Sequence, residues 1–430
     1  MDKVISAVNR LEGTIDVPGD KSVSHRAVIF ASMARGITTI NNLSTAADCV
    51  STISCLKKLG IKIEKRDDTV FDVDGKGRFG FSEPTGILDA GNSGTTIRLM
   101  SGLLAGQSFE SEITGDDSLK KRPMKRIMDP LESMGAKIFS CDNNNQPPIR
   151  IIGKRLKPIS YTMPVASAQV KTALMIAGLL CDGTTTIIEK YQSRDHTERM
   201  FKYLGAKILT SFPKIEIKGG ELRPTDIFVP GDISSAIFFI VAALLVKNSN
   251  ITLNKVGLNP TRLGSLTALK KMGADISIIS DKTRNEEPLG SIKVSSSKLN
   301  AINITAKDIP SMIDEIPILA LAATQAKGKT IISGAEELRF KESDRLKAIT
   351  DDLKRLGASI VEKPDGLEID GPTQLVGTEV ESFGDHRLAM TMAIAGLIAN
   401  GETKIYNFES VNISFPEFIK NLNLLIKEND

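Results

Sequence analysis

The sequence predicts an α/β (α+β) fold of two domains assembled from six repeated units. Three observations carry that expectation: a recurring helix-end signature, a recurring strand opening and a duplicated turn–helix junction. The helix-end signature occurs five times, as LKKLGIKI from Leu56, LESMGAKI from Leu131, FKYLGAKI from Phe201, LKKMGADI from Leu269 and LKRLGASI from Leu353. Its glycines, Gly60, Gly135, Gly205, Gly273 and Gly357, are spaced by 75, 70, 68 and 84 residues. Each follows a helical pattern and precedes an alternating strand pattern. The glycine suits the position just past a helix, where a positive φ is cheap only without a Cβ.

The strand opening is a glycine followed by a β-branched run at Gly36 (GITTI), Gly183 (GTTTII), Gly328 (GKTII) and Gly401 (GETKI), with looser versions at Gly106 and Asn248. Together the markers count six units of roughly β-α-β-α-β-β, the last without the helix-end signature. The third observation is VPGDKSVSHRAVIFASMA at Val17, echoed by VPGDISSAIFFIVAALL at Val229, 212 residues later. In both, Pro-Gly turns the chain and an aspartate, Asp20 or Asp232, is placed to cap a helix. We read the echo as a duplicated crossover between domains. One domain then spans residues 20–229, and the other combines 1–19 with 230–430.

Composition narrows the function classes. A chain of 430 residues exceeds one ordinary core. Hydrophobic content of 41%, charged content of 25% and a net charge of +3 describe a globular protein without the bulk charge of a nucleic-acid or membrane binder. The four cysteines form no C-x-x-C pair, and His25, His196 and His386 are the only histidines, so no zinc or disulfide framework is expected. The first twenty residues lack the apolar stretch of a signal peptide, and apolar runs such as Ile237 to Val246 are too short for a membrane span. A soluble, cytoplasmic, monomeric protein is the expectation.

Candidate chemistry gathers where helices begin. GDKSVSHRAV brings Lys21, Ser22 and Arg26 within about one and a half helical turns, at an end whose free N–H groups favour anions. DAGNSGTTIR offers Gly91 and Gly94 for close backbone approach, with Arg98 one turn on. GDDSLKKRPMKRI concentrates cations around Arg122, and Pro123 is expected at the first helical position. RFKESDRLKAI holds Lys341, Glu342 and Arg345, the two cations falling on one face if the helix starts there. Asp314 and Glu315 open an apolar helix, where capping and catalysis are both open readings. SFGDHRLAM places Asp385, His386 and Arg387 before another. Cations at positive helix ends cost stability unless an anion bridges them, so the set points to a heavily anionic ligand.

With those residues in view, the chain closely resembles the EPSP synthase (3-phosphoshikimate 1-carboxyvinyltransferase) family of enolpyruvyl transferases. The resemblance spans essentially the whole chain, through PGDKSVSHR, AGNSGTTIR, RPM, ASAQVKTA, SRDHTE, DEIP, RFKESDR, GDHR and SFPEF. It implies two domains, each of three βαβαββ units about a pseudo-threefold axis, joined by a double-crossover hinge with the active site in the cleft between them. It further implies transfer of the enolpyruvyl group of phosphoenolpyruvate to shikimate 3-phosphate, with no metal or organic cofactor. Lys21, Ser22, Arg26, Ser167, Ala168, Gln169, Arg194, Asp314 and Lys341 would surround shikimate 3-phosphate. Lys21, the Gly94 backbone, Arg122, Gln169, Arg345 and Arg387 would hold phosphoenolpyruvate. Asp314 would take the proton of the 5-hydroxyl, Glu342 would move a proton at the methylene carbon, and Lys21 would join them as a catalytic residue.

Two departures from the family pattern stand out. Ala168 occupies a position where many relatives carry serine, and Ile413 one where some carry lysine. Both resemble the second, glyphosate-tolerant-type subgroup, with Arg194 a candidate to compensate for the lost hydroxyl. The alternatives are the sister UDP-N-acetylglucosamine enolpyruvyl transferases and a non-catalytic anion-binding homologue. The Asp116–Asp117 region runs straight into LKKRPM with no cysteine nearby, which counts against the first.

Overall fold

A computed structural model of the chain describes residues 1–142 and 144–427. Its twelve helices, counted among the described residues, come two per repeat. The first six are α1 (Lys21–Met33), α2 (Ala47–Lys58), α3 (Gly94–Leu104), α4 (Lys125–Ser133), α5 (Ala168–Leu179) and α6 (His196–Tyr203). The others are α7 (Ile233–Leu245), α8 (Gly264–Lys271), α9 (Ile316–Thr324), α10 (Arg345–Arg355), α11 (His386–Gly396) and α12 (Phe418–Leu425).

Five four-stranded sheets share one strand order. In the third repeat, Ser160–Met163 pairs in parallel with Thr184–Glu189, which pairs antiparallel with Lys214–Lys218 and so with Ile208–Ser211. The same order recurs in the sheets that begin with Leu88–Asp89 and Asn303–Ile304. Two sheets borrow their first strand from a distant part of the chain. Ile227–Phe228 lies parallel to Arg35–Asn41, and Glu12–Asp16 lies parallel to Asn250–Gly257. The sixth sheet has three strands: Glu379–Glu381 pairs with Glu402–Tyr406, and the N-terminal Lys3–Ser6 takes the antiparallel place. That substitution accounts for the missing sixth signature.

The five signature glycines follow α2, α4, α6, α8 and α10, with φ between +80° at Gly205 and +95° at Gly273. A side chain there would be strained, so the same residue recurs wherever a helix must turn back into a strand.

The chain divides into two compact units. One holds Gly19–Pro230 with Thr283–Glu287; the other holds Met1–Pro18, Gly231–Lys282 and the chain from Pro288 onward. The five residues Thr283–Glu287, which the sequence assigned to the second domain, therefore group with the first unit. There Glu287 Oε1 lies 2.7 Å from His196 Nδ1, and Glu286 pairs with Lys202 at 2.9 Å.

Each unit has its own apolar core. In every repeat the first helix is nearly all buried: α9 and α11 are buried along their whole length, and α7 at every residue from Ile233 to Leu244. The second helix of each repeat keeps a solvent face. The buried helices are rich in Ala, Ile, Leu and small residues, which lets them pack closely against one another. Their N-terminal ends carry part of the candidate set, and the starts of α4, α6 and α10 with the loops before them carry the rest.

Candidate active site

The first unit gathers its candidates at the starts of α1, α3 and α5. Asp20 caps α1 by accepting from the Val23 N–H at 2.9 Å, which fixes Lys21 and Ser22 as the first helical residues. Lys21 Nζ reaches Asp48 of α2 at 2.9 Å. Arg26 is 3% exposed, and each of its three side-chain nitrogens makes a hydrogen bond. Its Nε donates to Thr197 Oγ1, its Nη1 to Ser22 O and its Nη2 to Thr172 Oγ1, each at 2.8 Å. Burial presses its guanidinium down to about 10, with Glu198 opposing the shift. His25, behind them, is held down to about 3 by burial and is neutral.

Gly94 opens α3 beneath a Ser93 cap. A Cβ on Gly94 would lie 2.6 Å from Arg98 Nη1 and 3.2 Å from Arg122 Nη1, so glycine is what lets both guanidiniums approach this backbone. Arg98 Nη1 donates to Gln169 Oε1 at 2.9 Å, and Gln169 Nε2 donates to Thr95 Oγ1 at 2.9 Å. Arg122 Nη2 donates to Asn92 Oδ1 at 3.0 Å, and Asn92 in turn donates to Asp116 at 2.7 Å. Ser167 caps α5, so Ala168 and Gln169 are its first residues. Arg194, half-buried before α6, acts electrostatically on Arg26. The unit thus links Lys21, Ser22, Arg26, Gly94, Arg122, Ser167, Ala168, Gln169 and Arg194 through three helix starts and their neighbouring loops.

The second unit builds a different cluster around Arg345, which is 1% exposed. Its Nε donates to Asp385 Oδ2 at 2.7 Å and its Nη2 to Asp385 Oδ1 at 3.3 Å, a forked pair. Nη2 also donates to Glu342 Oε2 at 2.6 Å, and Nη1 stands 3.6 Å from Asp314 Oδ1. Lys341 Nζ approaches the same Asp314 oxygen at 3.4 Å. Arg387 Nη1 donates to the Asp314 carbonyl at 3.1 Å and lies 3.7 Å from Glu315. Burial lowers the proton affinity of Arg345, but Asp385 and Glu342 more than offset that and hold the guanidinium above its ordinary range. Glu315 is 1% exposed and accepts from Ser234, which Arg262 in turn contacts.

Three local expectations need correction. Pro123 is not the first helical residue: a short 3₁₀ turn ends at Lys121, Arg122 is extended, and α4 starts at Lys125. Lys341 does not share a helical face with Arg345, because Asp344 caps α10 and Lys341 lies outside it; the two meet at Asp314 instead. Asp314 and Glu315 form a 3₁₀ turn and neither makes a side-chain cap on α9. The anti-dipole reading of the helix starts is also incomplete. Asp20, Asp344 and Asp385 cap α1, α10 and α11, so the chain's own carboxylates offset part of the cost of Lys21, Arg345 and Arg387.

Sequence reasoning missed Asp48, Asn92 and the buried Lys171, Glu189 and Glu198. Of these only Lys171 carried a signal, a lysine inside the apolar run VKTALMIAGLL. Among the described residues no group of three or more His, Cys, Asp or Glu side chains is arranged to hold a metal ion, and no helix is long and apolar enough to cross a membrane.

A family model for EPSP synthase (3-phosphoshikimate 1-carboxyvinyltransferase) matches residues 5–422. The 3-phosphoshikimate 1-carboxyvinyltransferase of Petrotoga mobilis is 52% identical over 418 residues, covering 96% of this chain and 97% of that protein. The protein of the same name from Thermoanaerobacter sp. strain X514 is 50% identical over 426 residues, covering 99% of this chain and 100% of its own. Among solved structures, an EPSP synthase from Acinetobacter baumannii superposes with a TM-score of 0.89 at 40% identity, covering 99% of this chain and 98% of that one. Carrying this fold and these relatives across nearly its full length, the chain belongs to the EPSP synthase family.

Proposed function

We propose a division of labour for the reaction of this family, in which the carboxyvinyl group of phosphoenolpyruvate moves to the 5-hydroxyl of shikimate 3-phosphate and phosphate leaves. The chain is a transferase of aromatic amino-acid biosynthesis through the shikimate pathway. The lobe of residues 20–229 binds shikimate 3-phosphate, through Lys21, Ser22, Arg26, Ser167, Ala168, Gln169 and Arg194. It also holds phosphoenolpyruvate, through Lys21, the Gly94 backbone, Arg122 and Gln169. The lobe of residues 1–19 and 230–430 supplies the proton-transfer groups Asp314 and Glu342, with Lys341, Arg345 and Arg387 as anion ligands. The observation that carries this reading is the Asp314–Lys341–Arg345–Glu342 cluster, in which two carboxylates share one buried guanidinium.

That sharing suits the chemistry. Arg345 bonds Glu342 directly, which favours the carboxylate form. An arriving phosphoenolpyruvate anion competes for the same guanidinium, weakens its hold on Glu342 and raises the affinity of Glu342 for a proton. Glu342 then takes up a proton from solvent and delivers it to C3, and C2 gains cationic character. The 5-oxygen bonds to C2 as its proton passes to Asp314, giving a tetrahedral adduct. The bond from C2 to the phosphate oxygen breaks, C3 returns its proton to Glu342, and the enol ether remains. General acid–base steps of this kind contribute about 10²–10⁴-fold each. The surrounding cations offset the repulsion between two anionic substrates and hold the hydroxyl against C2.

Ala168 leaves its position without a hydroxyl, and Arg194 compensates for the lost contact. The protein works as a cytoplasmic monomer. The matched relatives are 3-phosphoshikimate 1-carboxyvinyltransferases, so acceptance of a UDP-sugar is not favoured. Phosphate release by the purified protein, with phosphoenolpyruvate and either acceptor, tests the reading. Release that requires shikimate 3-phosphate and collapses in Asp314→Ala is expected. Equal release without that acceptor overturns the proposal.

A further inference from the structure

Lys171 is the most deeply placed cation of the first unit, fully buried inside α5 one turn past Ser167. A buried ammonium persists only with partners that replace water. Its Nζ lies 2.6 Å from Glu198 Oε1, 3.1 Å from Glu189 Oε2 and 3.4 Å from the Ser193 carbonyl. Glu189 ends a strand and Glu198 lies in the first turn of α6, so one ammonium ties together both ends of the connection that carries Arg194. Glu189 Oε1 also accepts from the Ser193 N–H at 3.2 Å and from the Ser193 hydroxyl at 2.5 Å. The residue next to Arg194 is therefore held at its amide, its hydroxyl and its carbonyl.

The same cluster reaches Arg26. Thr197, between His196 and Glu198, receives Arg26 Nε at 2.8 Å and bonds Thr172 of α5 at 2.6 Å. Glu198 is the strongest carboxylate influence on Arg26, and burial raises its own proton affinity against the pull of Lys171. With Lys171 present, two carboxylates and one ammonium leave Glu198 only partly available to Arg26. Without it, two uncompensated carboxylates would draw on the Arg26 charge, and the Ser193 carbonyl would lose its donor, leaving the segment tied only through Glu189.

We propose that Lys171 is a positioning residue for shikimate 3-phosphate: it locks the Ser193–Arg194 segment against α5 and keeps the charge of Arg26 for the substrate phosphate. The role rests on the reading that this unit binds shikimate 3-phosphate. Arg194 and Arg26 then form a preorganised pair whose spacing is set from beneath rather than by the ligand.

The experiment measures calorimetric affinity for shikimate 3-phosphate, and KM for each substrate, in wild type, Lys171→Met, Lys171→Arg and Lys171→Met/Glu198→Gln. In Lys171→Met, Kd and KM for shikimate 3-phosphate rise at least tenfold at pH 8, while KM for phosphoenolpyruvate stays within about threefold. The defect shrinks at pH 6, as the stranded Glu198, whose proton affinity burial already raises, takes up a proton. The double variant, with one stranded charge removed, recovers part of the affinity. A parallel rise in both KM values, a pH-independent defect, or wild-type affinity in a destabilised variant overturns the role. Should Lys171→Met not fold, the other two variants decide: shikimate 3-phosphate affinity equal to wild type in both overturns it. Wild-type protein that fails to bind shikimate 3-phosphate overturns the reading of the unit itself, whereas a binding wild type with unaffected variants overturns only the part played by Lys171.

Discussion

The two units place different partners around the arginines of their candidate sites. In the first, Arg26 bonds two threonine hydroxyls and a carbonyl, Arg98 bonds a glutamine amide and Arg122 bonds an asparagine amide. In the second, Arg345 bonds Asp385 and Glu342, Lys341 meets Asp314, and Arg387 stands beside Glu315. Neutral acceptors fix a guanidinium in place without adding an opposing charge, which suits the anion-binding role proposed for these arginines, while Lys21 and Lys171 of the same unit pair with carboxylates. Carboxylate partners offset the charge and are themselves fixed in place, the arrangement that the proton-transfer roles proposed for Asp314 and Glu342 require. The contrast teaches that cation count alone does not separate a binding surface from a reacting one; the partners do.

The largest break of that contrast is Asp314→Asn. It keeps shape and hydrogen bonding but removes the base, and kcat should fall by about 10³-fold with shikimate 3-phosphate affinity changed only a few-fold. Phosphate release and calorimetry on one preparation check both halves. Next comes Arg26→Met in the first unit, which removes charge-assisted bonds worth about 1.5–3 kcal/mol each to a bound phosphate. Shikimate 3-phosphate affinity should drop about 10–100-fold; a drop confined to kcat would contradict the assignment of that unit to binding. Gly94→Ala is smaller and more specific. The added methyl meets Arg98 and Arg122, so KM for phosphoenolpyruvate should rise about tenfold with kcat nearly preserved.

The smallest effect concerns stability. Asp352 in α10 is buried, accepts from the Glu381 N–H at 3.2 Å through one oxygen and leaves the other without a hydrogen bond. Burial pushes its carboxyl up to about 7 from 3.8. The folded chain therefore binds a proton that the unfolded chain has lost, and the contribution is full below about 3.8 and lost as pH rises through about 7. Asp352→Asn should show a Tm above wild type at pH 8 by a few degrees, with the gap closing toward pH 4. Thermal scans at the two pH values read it directly.

Much of the local architecture was legible. The five signature glycines end the helices expected of them, and Asp20 and Asp232 cap α1 and α7. Steric rules and capping act within a few residues, so their traces survive in short strings. Errors arose where the signal was equally short but the alternatives were close in energy. Pro123 fits a helix start or the extended residue pair before one, and Lys341 fits either side of a cap.

What the sequence by itself determined was the six-fold repetition, the helix starts and the residue types gathered there. Glycine strain, capping and apolar periodicity are properties of neighbouring residues, and six copies make them unmistakable. Only the tertiary structure decided the partners: Asp48 for Lys21, Asp385 for Arg345 across 40 residues, and Glu189 with Glu198 for Lys171. Those pairings depend on how buried helices pack and on where a sheet ends, and no local preference of a lysine or a glutamate encodes either. The division between cations fixed by neutral acceptors and cations paired with carboxylates is therefore a property of packing, written over helix ends that the sequence had already marked.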